Sequence, residues 1–269
     1  MDTQTTDRVA GLAVRRSGTG EPVLALHASG GGLDSWAGVA GLLSDEFEVW
    51  RCARRGYAPS RRAEPHRTFA SEVVGLRDLL DTVRAVTDSD VHLVGAGYGA
   101  LLALHLAAGD LSGVRSLVLY EPPVLLSGPH LLPVRERYRA LMAAEQFASG
   151  AELLDREVFR VPETSVPIRP PVSVLDPPRA HQDAAGWLPD LEALAADGTD
   201  IARWSSVTVP VLLAQGADSW DPLPAGMDAL AAVLPHVERV VWEGESLWAM
   251  NTAPELVART LRSFLAGND

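Results

Sequence analysis

Continuous apolar runs alternate with amphipathic helical patterns along most of the chain. Runs typical of buried strands lie at 21–27, 47–53, 91–96, 114–120, 209–214 and 237–242, after a first strand or hairpin at 8–15. Apolar residues at helical spacing lie at 33–43, 68–86, 98–108 and 253–265. Because strands covered on both faces are apolar throughout, this alternation predicts an α/β fold with a mostly parallel central sheet flanked by helices.

One long segment interrupts this alternation. Residues 126–203 are rich in proline and contain two or three helical stretches but no convincing core strand. We interpret the segment as an inserted helical cap, with residues 1–125 and 204–269 forming the core. Ligands bind at the carboxyl ends of strands in such sheets, so the cap is expected to cover that edge.

The strand at 91–96 runs into the sequence Gly95-Ala96-Gly97-Tyr98-Gly99, and a helical pattern follows. The strand-to-helix turn G-x-S-x-G presents a nucleophilic serine hydroxyl to substrate. The frame and its spacing are present here, but glycine occupies the serine position. Glycine has no side chain, so residue 97 is unable to attack a substrate.

Several further motifs occur in a characteristic order. They are the strand ending at His27 with its glycine loop Ser29-Gly30-Gly31-Gly32, the loop from Arg54 to Tyr57 with Ser60, the turn at 95–99, the Tyr120-Glu121-Pro122-Pro123 segment and the helix opening at Ala253-Pro254. Together they resemble the α/β-hydrolase superfamily over nearly the whole chain. The resemblance implies the α/β-hydrolase fold with an inserted helical cap.

The resemblance also implies that the hydrolytic machinery is degenerate. In the family, the catalytic histidine follows the last strand, in a stretch that matches Gly244–Ala249, and Leu247 occupies the histidine position here. The family's acid follows the preceding strand, where Asp218 or Asp221 could fill the role, although Ser219 is another aligned position. A triad needs the histidine as base for the serine, and the loss of both indicates abandoned hydrolysis. Similar members with degraded triads occur in bacterial natural-product pathways, including aromatic polyketide and enediyne pathways.

The family's oxyanion hole uses backbone N–H groups, which survive the loss of side chains. The resemblance places these donors at Tyr98 and at Ser29 or Gly30. Preorganised backbone donors supply about 3 kcal/mol of transition-state stabilisation each. An enzyme that needs a polarised carbonyl and a shaped pocket could therefore work with this remnant.

The loops at the strand ends supply the remaining candidates for the site. Glu121 and Asp218 are candidate catalytic carboxylates, and the predicted substrate-binding residues are His27, Trp36, Gly97, Trp220, Ser246, Leu247 and Trp248. Tryptophans beside three converging loops favour a flat, conjugated or polycyclic ligand. Structural alternatives stay open: His27 as a loop-bracing residue, Glu121 as a hydrogen-bond acceptor or a base with a raised pKa, and Asp218 as a helix cap.

The amino-acid composition excludes several classes of binding partner and cofactor. The net charge of −12 argues against nucleic acid and anionic membranes, and the absence of lysine among the 23 basic residues excludes a Schiff-base or P-loop lysine. The single cysteine, Cys52, excludes an intrachain disulfide. With no cofactor motif, signal peptide or membrane-length apolar run, we expect a cytoplasmic protein that needs neither cofactor nor metal.

Three functions fit these observations. The first is a non-hydrolytic enzyme of bacterial secondary metabolism that steers a C–C bond formation, cyclisation or Michael-type addition. The second is a catalytically silent protein that binds or sequesters a small molecule. The third is a hydrolase with a relocated nucleophile, such as Ser29 or Ser246.

Overall fold

The computed structural model describes residues 6–60, 67–162 and 177–268. Its described part contains one eight-stranded sheet with the order β1-β2-β4-β3-β5-β6-β7-β8. The strands are β1 (Asp7–Val9), β2 (Leu12–Ser17), β3 (Glu21–Leu26), β4 (Phe47–Ala53), β5 (Val91–Ala96), β6 (Val114–Tyr120), β7 (Val211–Gly216) and β8 (Val237–Trp242). The predicted sheet is confirmed.

The six strands from β3 to β8 are parallel to one another. Strand β2 is antiparallel to both β1 and β4, so the sheet is mixed at one edge. The predicted first element is a hairpin, because Ala10 and Gly11 both adopt positive φ angles and reverse the chain.

Helices cover both faces of the sheet. They are α1 (Ala37–Leu43), α2 (Phe69–Thr87), α3 (Tyr98–Gly109), α4 (Leu131–Ala143), α5 (Phe147–Leu154), α6 (Pro177–Ala196), α7 (Leu223–Val233), α8 (Ala249–Thr252) and α9 (Pro254–Ala266). Buried residues of α1 and α9 pack on one face, and those of α2, α3 and α7 pack on the other. Alternate residues of each central strand therefore serve two separate cores, which explains the continuous apolar runs.

Helix α1 begins later than its apolar pattern predicts. Backbone hydrogen bonds from Gly31 to Ala28 and from Ser35 to Gly32 form successive turns instead, so residues 28–36 are a loop. Helix α2 matches its prediction closely because Thr68 and Ser71 form a capping box at its start.

Helices α4, α5 and α6 lie between β6 and β7, in the segment predicted to form the cap. A π turn (Asp155–Phe159) follows α5, and a 3₁₀ turn (Ile201–Ser206) precedes β7. Apolar side chains of α4 and α6 join the same core as α2 and α3. The described residues of this segment contain no strand, and the cap boundaries at 126 and 203 stay a prediction.

Two glycines bring α3 unusually close to the sheet. A Cβ on Gly99 would lie 2.5 Å from the carbonyl oxygen of Leu26, and one on Gly95 would lie 2.6 Å from the backbone of Ala100. Both positions therefore require glycine for steric reasons. The close contact fixes the start of α3 against the carboxyl ends of β3 and β5.

We predict that Gly99→Ala lowers the free energy of unfolding by about 1–3 kcal/mol, because its methyl group would overlap the backbone of β3. The matched control is Gly41→Ala in α1, where a Cβ would meet nothing within 4 Å. That substitution should stabilise the protein by about 0.5–1 kcal/mol through helix propensity. Urea denaturation of both variants measures the difference, and equal effects would refute the close approach.

Candidate functional site

The turn after β5 has a backbone conformation that residues with a side chain rarely adopt, and glycine occupies it at residue 97. Gly97 has φ 51° and ψ −120°, and its N–H donates to the carbonyl of Tyr120 at 2.8 Å. Helix α3 begins at Tyr98, whose N–H consequently has no partner inside the helix. The turn thus presents an unpaired backbone donor at the carboxyl end of the sheet.

A cavity of about 410 Å³ lies beside this turn. Its volume falls within the ~300–1,000 Å³ range of small-molecule sites. The lining combines the glycine loop and the turn with apolar and aromatic side chains, namely Tyr120, Leu126, Val158, Phe159, Trp187, Leu194, Leu223, Leu247, Trp248 and Met250. The cavity therefore suits a largely apolar ligand with a polar group at the end next to residue 97.

The glycine loop offers one unpaired donor next to this cavity. The N–H of Gly30 donates to the Tyr57 hydroxyl at 3.1 Å, so Gly30 is already satisfied. The N–H of Ser29 makes no hydrogen bond within the described residues, and Ser29 lines the cavity. Of the two loop positions predicted for the oxyanion hole, the geometry favours Ser29 and corrects the prediction for Gly30.

A buried cluster of charges ties the cap segment to the glycine loop. Asp190 on α6 is completely buried and accepts hydrogen bonds from two nitrogens of Arg54 at 3.1 and 2.7 Å. The hydroxyls of Tyr57 and Ser29 also donate to this carboxylate, at 2.7 and 2.6 Å. Burial alone would raise the pKa of Asp190, but the Arg54 and Arg67 guanidinium groups hold it below its usual value.

Glu72 on α2 forms the other half of this cluster. Its carboxylate accepts hydrogen bonds from Arg67 and from the Tyr98 hydroxyl, and it lies 3.5 Å from Arg54. The Arg54 guanidinium also stacks over the Tyr98 ring, 4.1 Å from its centroid. The cluster thus balances two arginines with two carboxylates and engages the Tyr98 side chain through its hydroxyl and its ring.

Glu121 lies at the end of β6 with a positive φ of 45° and lines the cavity. Its Oε1 accepts a hydrogen bond from the N–H of Gly216 at 2.8 Å. Its Oε2 is buried without a hydrogen-bond partner among the described residues. Burial raises the pKa of Glu121 to about 7, against the opposing effects of the nearby Ser219 hydroxyl and the Gly216 N–H.

Two predicted binding residues lie outside the cavity lining. His27 is fully buried, accepts a hydrogen bond from the N–H of Arg54 at 2.9 Å and donates from Nδ1 to the carbonyl of Ala28. Burial, reinforced by Arg54, lowers the pKa of His27 to about 3, so the ring is neutral and braces the loop. Trp36 donates to the carbonyl of Leu26 and packs in the core beside α1 and α9.

Three candidates from the last strands also lie outside the lining. Asp218 is exposed on the surface after β7. Trp220 directs its indole N–H to the carbonyl of Phe159 at 2.7 Å, and Ser246 accepts a hydrogen bond from the Tyr120 hydroxyl at its carbonyl oxygen. Trp220 and Ser246 therefore hold residues that line the cavity, whereas Gly97, Leu247 and Trp248 line it themselves.

The sequence interpretation missed three aromatic residues that line the cavity. Trp187 on α6 lies edge-on to Phe159 at 5.4 Å, and Phe159 lies 6.4 Å from Trp248. Tyr120 lies beside Glu121 on the opposite side. The one sequence signal that could have identified Trp187 is the helical spacing of apolar residues in α6. That spacing predicts only that the residue packs inward.

Within the described residues, no helix combines the length and apolar character needed to cross a membrane. Nor do those residues bring together three histidine, cysteine or acidic side chains suited to a metal ion.

Comparisons with known proteins agree with this architecture. The profile of the Alpha/beta hydrolase family matches residues 23–260. Lipase LipV of Mycobacterium tuberculosis is 36% identical over 97 residues, which are 36% of this chain and about a third (34%) of that lipase.

Two solved structures share the fold along almost the whole chain. An alpha/beta hydrolase from Sphaerobacter thermophilus has a TM-score of 0.78 at 24% identity and covers 97% of this chain and 100% of its own. A thermophilic esterase from Thermogutta terrifontis has a TM-score of 0.75 at 21% identity and covers 98% of each chain. The α/β-hydrolase fold predicted from the motifs is therefore confirmed.

The raised pKa of Glu121 predicts a pH-dependent stability. The folded protein holds this proton up to about pH 7, whereas an ordinary glutamate releases it near 4.5. Between these values the folded state binds more protons, so the free energy of unfolding should fall by about 3 kcal/mol as pH rises. Urea denaturation from pH 4.5 to 8 should show this fall relative to Glu121→Gln.

The matched control is Glu238→Gln, because Glu238 is exposed on β8. The difference in the free energy of unfolding between Glu238→Gln and the wild-type protein should change little over the same pH range. If the difference in the free energy of unfolding between wild type and Glu121→Gln stays constant with pH, the Glu121 carboxyl does not retain its proton in the folded state.

Proposed function

This chain belongs to the alpha/beta hydrolase family, and we propose that it is a cofactor-independent enzyme that uses the family's site without hydrolysis. The proposed reaction is a C–C bond formation, cyclisation or Michael-type addition on a conjugated or polycyclic intermediate of bacterial secondary metabolism. The observation that carries the proposal is the turn at Gly97, which has a positive φ angle and adjoins the cavity but offers no nucleophilic side chain at residue 97.

The residues around the turn do not supply another triad. Leu247, which occupies the family's histidine position by sequence, is part of the cavity lining. The candidate acid Asp218 is exposed, away from the cavity. A serine hydroxyl needs an adjacent base to become an effective nucleophile, and an apolar side chain replaces that base here.

The two unpaired N–H groups give the site its proposed chemistry. The amides of Tyr98 and Ser29 border the same cavity, and neither relies on a side chain of the lost triad. A carbonyl oxygen placed between them would be stabilised as it gains negative charge in an enolate-like transition state. The space left at Gly97 would accept the reacting carbon directly above the turn.

Glu121 is the proposed acid–base group. It is the only carboxylic acid among the lining residues that are described, and its pKa of about 7 suits proton transfer near neutral pH. Its strained backbone fixes the carboxyl at the end of β6. Protonated Glu121 would donate to the substrate, and its anion would take a proton back.

The walls favour a flat substrate. Phe159, Trp187 and Trp248 form consecutive edge-on contacts along one side of the cavity. Among the described residues that line the cavity, none carries a cationic side chain that could bind an anionic substrate. A neutral conjugated ketone or quinone fits these properties, because stacking and an oxyanion hole then supply both orientation and activation.

A silent binding or self-resistance protein is the second candidate. It is favoured by the position of the Glu121 oxygens, of which Oε1 is engaged by Gly216 and Oε2 is sealed from solvent. If the carboxyl never reaches a ligand, the cavity would bind without catalysing. A rate effect on a bound ligand distinguishes the two roles.

The third candidate, a relocated nucleophile, has less support. The Ser29 hydroxyl donates to a buried carboxylate with no histidine between them, and Ser246 is not part of the lining. The direct test uses a panel of polycyclic enones and quinones, including 5-hydroxy-1,4-naphthoquinone, with tryptophan fluorescence for binding and mass spectrometry for conversion. Conversion without a gain of water supports the proposed enzyme, whereas hydrolysis products would refute it.

We predict that Gly97→Ala reduces conversion of any substrate found in this panel at least tenfold. The added Cβ would project from the turn and lie 3.1 Å from the Cβ of Ala28, in the space proposed for the reacting carbon. The matched control is Gly32→Ala in the glycine loop after β3, where a Cβ meets nothing within 4 Å. Equal rates for the two variants would contradict the proposed position of the substrate.

We also predict that a fluorophosphonate probe leaves the wild-type protein unlabelled, because the site lacks an activated serine. Intact-protein mass spectrometry measures the adduct, and LipV is a suitable positive control as a named lipase. Stoichiometric labelling that disappears in Ser29→Ala or Ser246→Ala would establish the relocated nucleophile instead.

A further inference from the structure

We infer that Asp190, on the cap helix α6, is a positioning residue that holds the glycine loop in the shape required by the oxyanion hole. The effect of Asp190 on catalysis rests on the proposed function, whereas its effect on the loop does not. Asp190 does not line the cavity and so acts through the loop.

Asp190 reaches two successive residues of the loop. Its Oδ2 accepts the hydroxyl of Ser29 at 2.6 Å directly. The same oxygen accepts the Tyr57 hydroxyl at 2.7 Å, and that hydroxyl oxygen accepts the N–H of Gly30 at 3.1 Å. One buried carboxylate oxygen therefore fixes the side chain of one loop residue and the backbone of the next.

Arg54 extends this control to the residue that begins the loop. Its guanidinium binds both oxygens of Asp190, while its Nε donates to the carbonyl of His27 at 3.1 Å. Its backbone N–H also donates to Nε2 of His27. The carboxylate and its arginine consequently hold the loop on both sides of Ser29, whose N–H has no acceptor among the described residues.

The same helix forms the cavity wall over this loop. Trp187 lies one turn before Asp190, and a Cβ built on Gly30 would lie 3.0 Å from its indole Nε1. Docking of α6 thus sets the loop and the wall together. This arrangement makes the cap helix part of the oxyanion hole's support, beyond its role as a cover.

Glu72 provides a matched comparison inside the same cluster. It is also buried and paired with arginine, but its contacts are Arg67, Arg54 and the Tyr98 hydroxyl. Within the described residues, Glu72 forms no hydrogen bond or ion pair with residues 28–32 of the glycine loop. Removing its charge therefore perturbs the cluster without removing a loop anchor.

The experiment measures hydrogen–deuterium exchange of the Gly30 and Gly31 amides in wild type, Asp190→Asn, Glu72→Gln and Tyr57→Phe. We expect exchange at least tenfold faster for both amides in Asp190→Asn, because the loop loses its anchor. Tyr57→Phe keeps every charge but removes the acceptor of the Gly30 N–H, so it should accelerate Gly30 selectively. Glu72→Gln should change both amides less than twofold.

Equal acceleration in Asp190→Asn and Glu72→Gln would overturn the inference, because the cluster would then stabilise the fold without acting on the loop. If Asp190→Asn fails to fold, the Tyr57→Phe variant decides the question, and an unchanged exchange rate of the Gly30 amide in that variant would overturn the inference. None of these measurements uses a substrate, so failure of the proposed function would leave the loop result standing. With a converted quinone in hand, Asp190→Asn should lower kcat at least tenfold with KM changed less than threefold.

Discussion

The buried cluster of Arg54, Arg67, Glu72 and Asp190 is the constraint on which the site depends. It joins the loop after β4, the start of α2 and the cap helix α6 at one point beneath the glycine loop. Buried ion pairs add little net stability compared with apolar packing, but removing one partner typically costs about 3–5 kcal/mol. Loss of one partner would therefore weaken the attachment of α6 to the loop after β4.

This constraint explains how the site keeps its form with glycine at residue 97 of the turn. The turn at Gly97 is fixed by the tight approach of Gly95 and Gly99 to the neighbouring backbone, and the glycine loop is fixed by the cluster. The two segments face the cavity from different strands, each with an unpaired amide. Glu121 is the one ionisable carboxyl among the described residues that line the cavity.

Local patterns were sufficient to predict the sheet, the turn and the glycine loop. Strands, capping residues and glycine spacing are properties of neighbouring residues, so residues 68–86 and 91–99 were placed well. The side-chain directions at strand ends were harder to predict. Trp36 and Trp220 were expected in the cavity, but one packs in a core and the other braces the π turn. Long-range partners were missed because Arg54 and Asp190 are 136 residues apart and no sequence pattern links them.

The most direct test of the proposed non-hydrolytic reaction is the metabolite profile of the organism that carries the gene, with the gene deleted and then restored, by high-resolution mass spectrometry. We predict that an aromatic or conjugated precursor accumulates whose mass equals that of the lost product, or adds to a partner's mass to give it. A precursor that differs from the product by one water or an acyl group would contradict the proposed reaction, as would a profile that the deletion leaves unchanged.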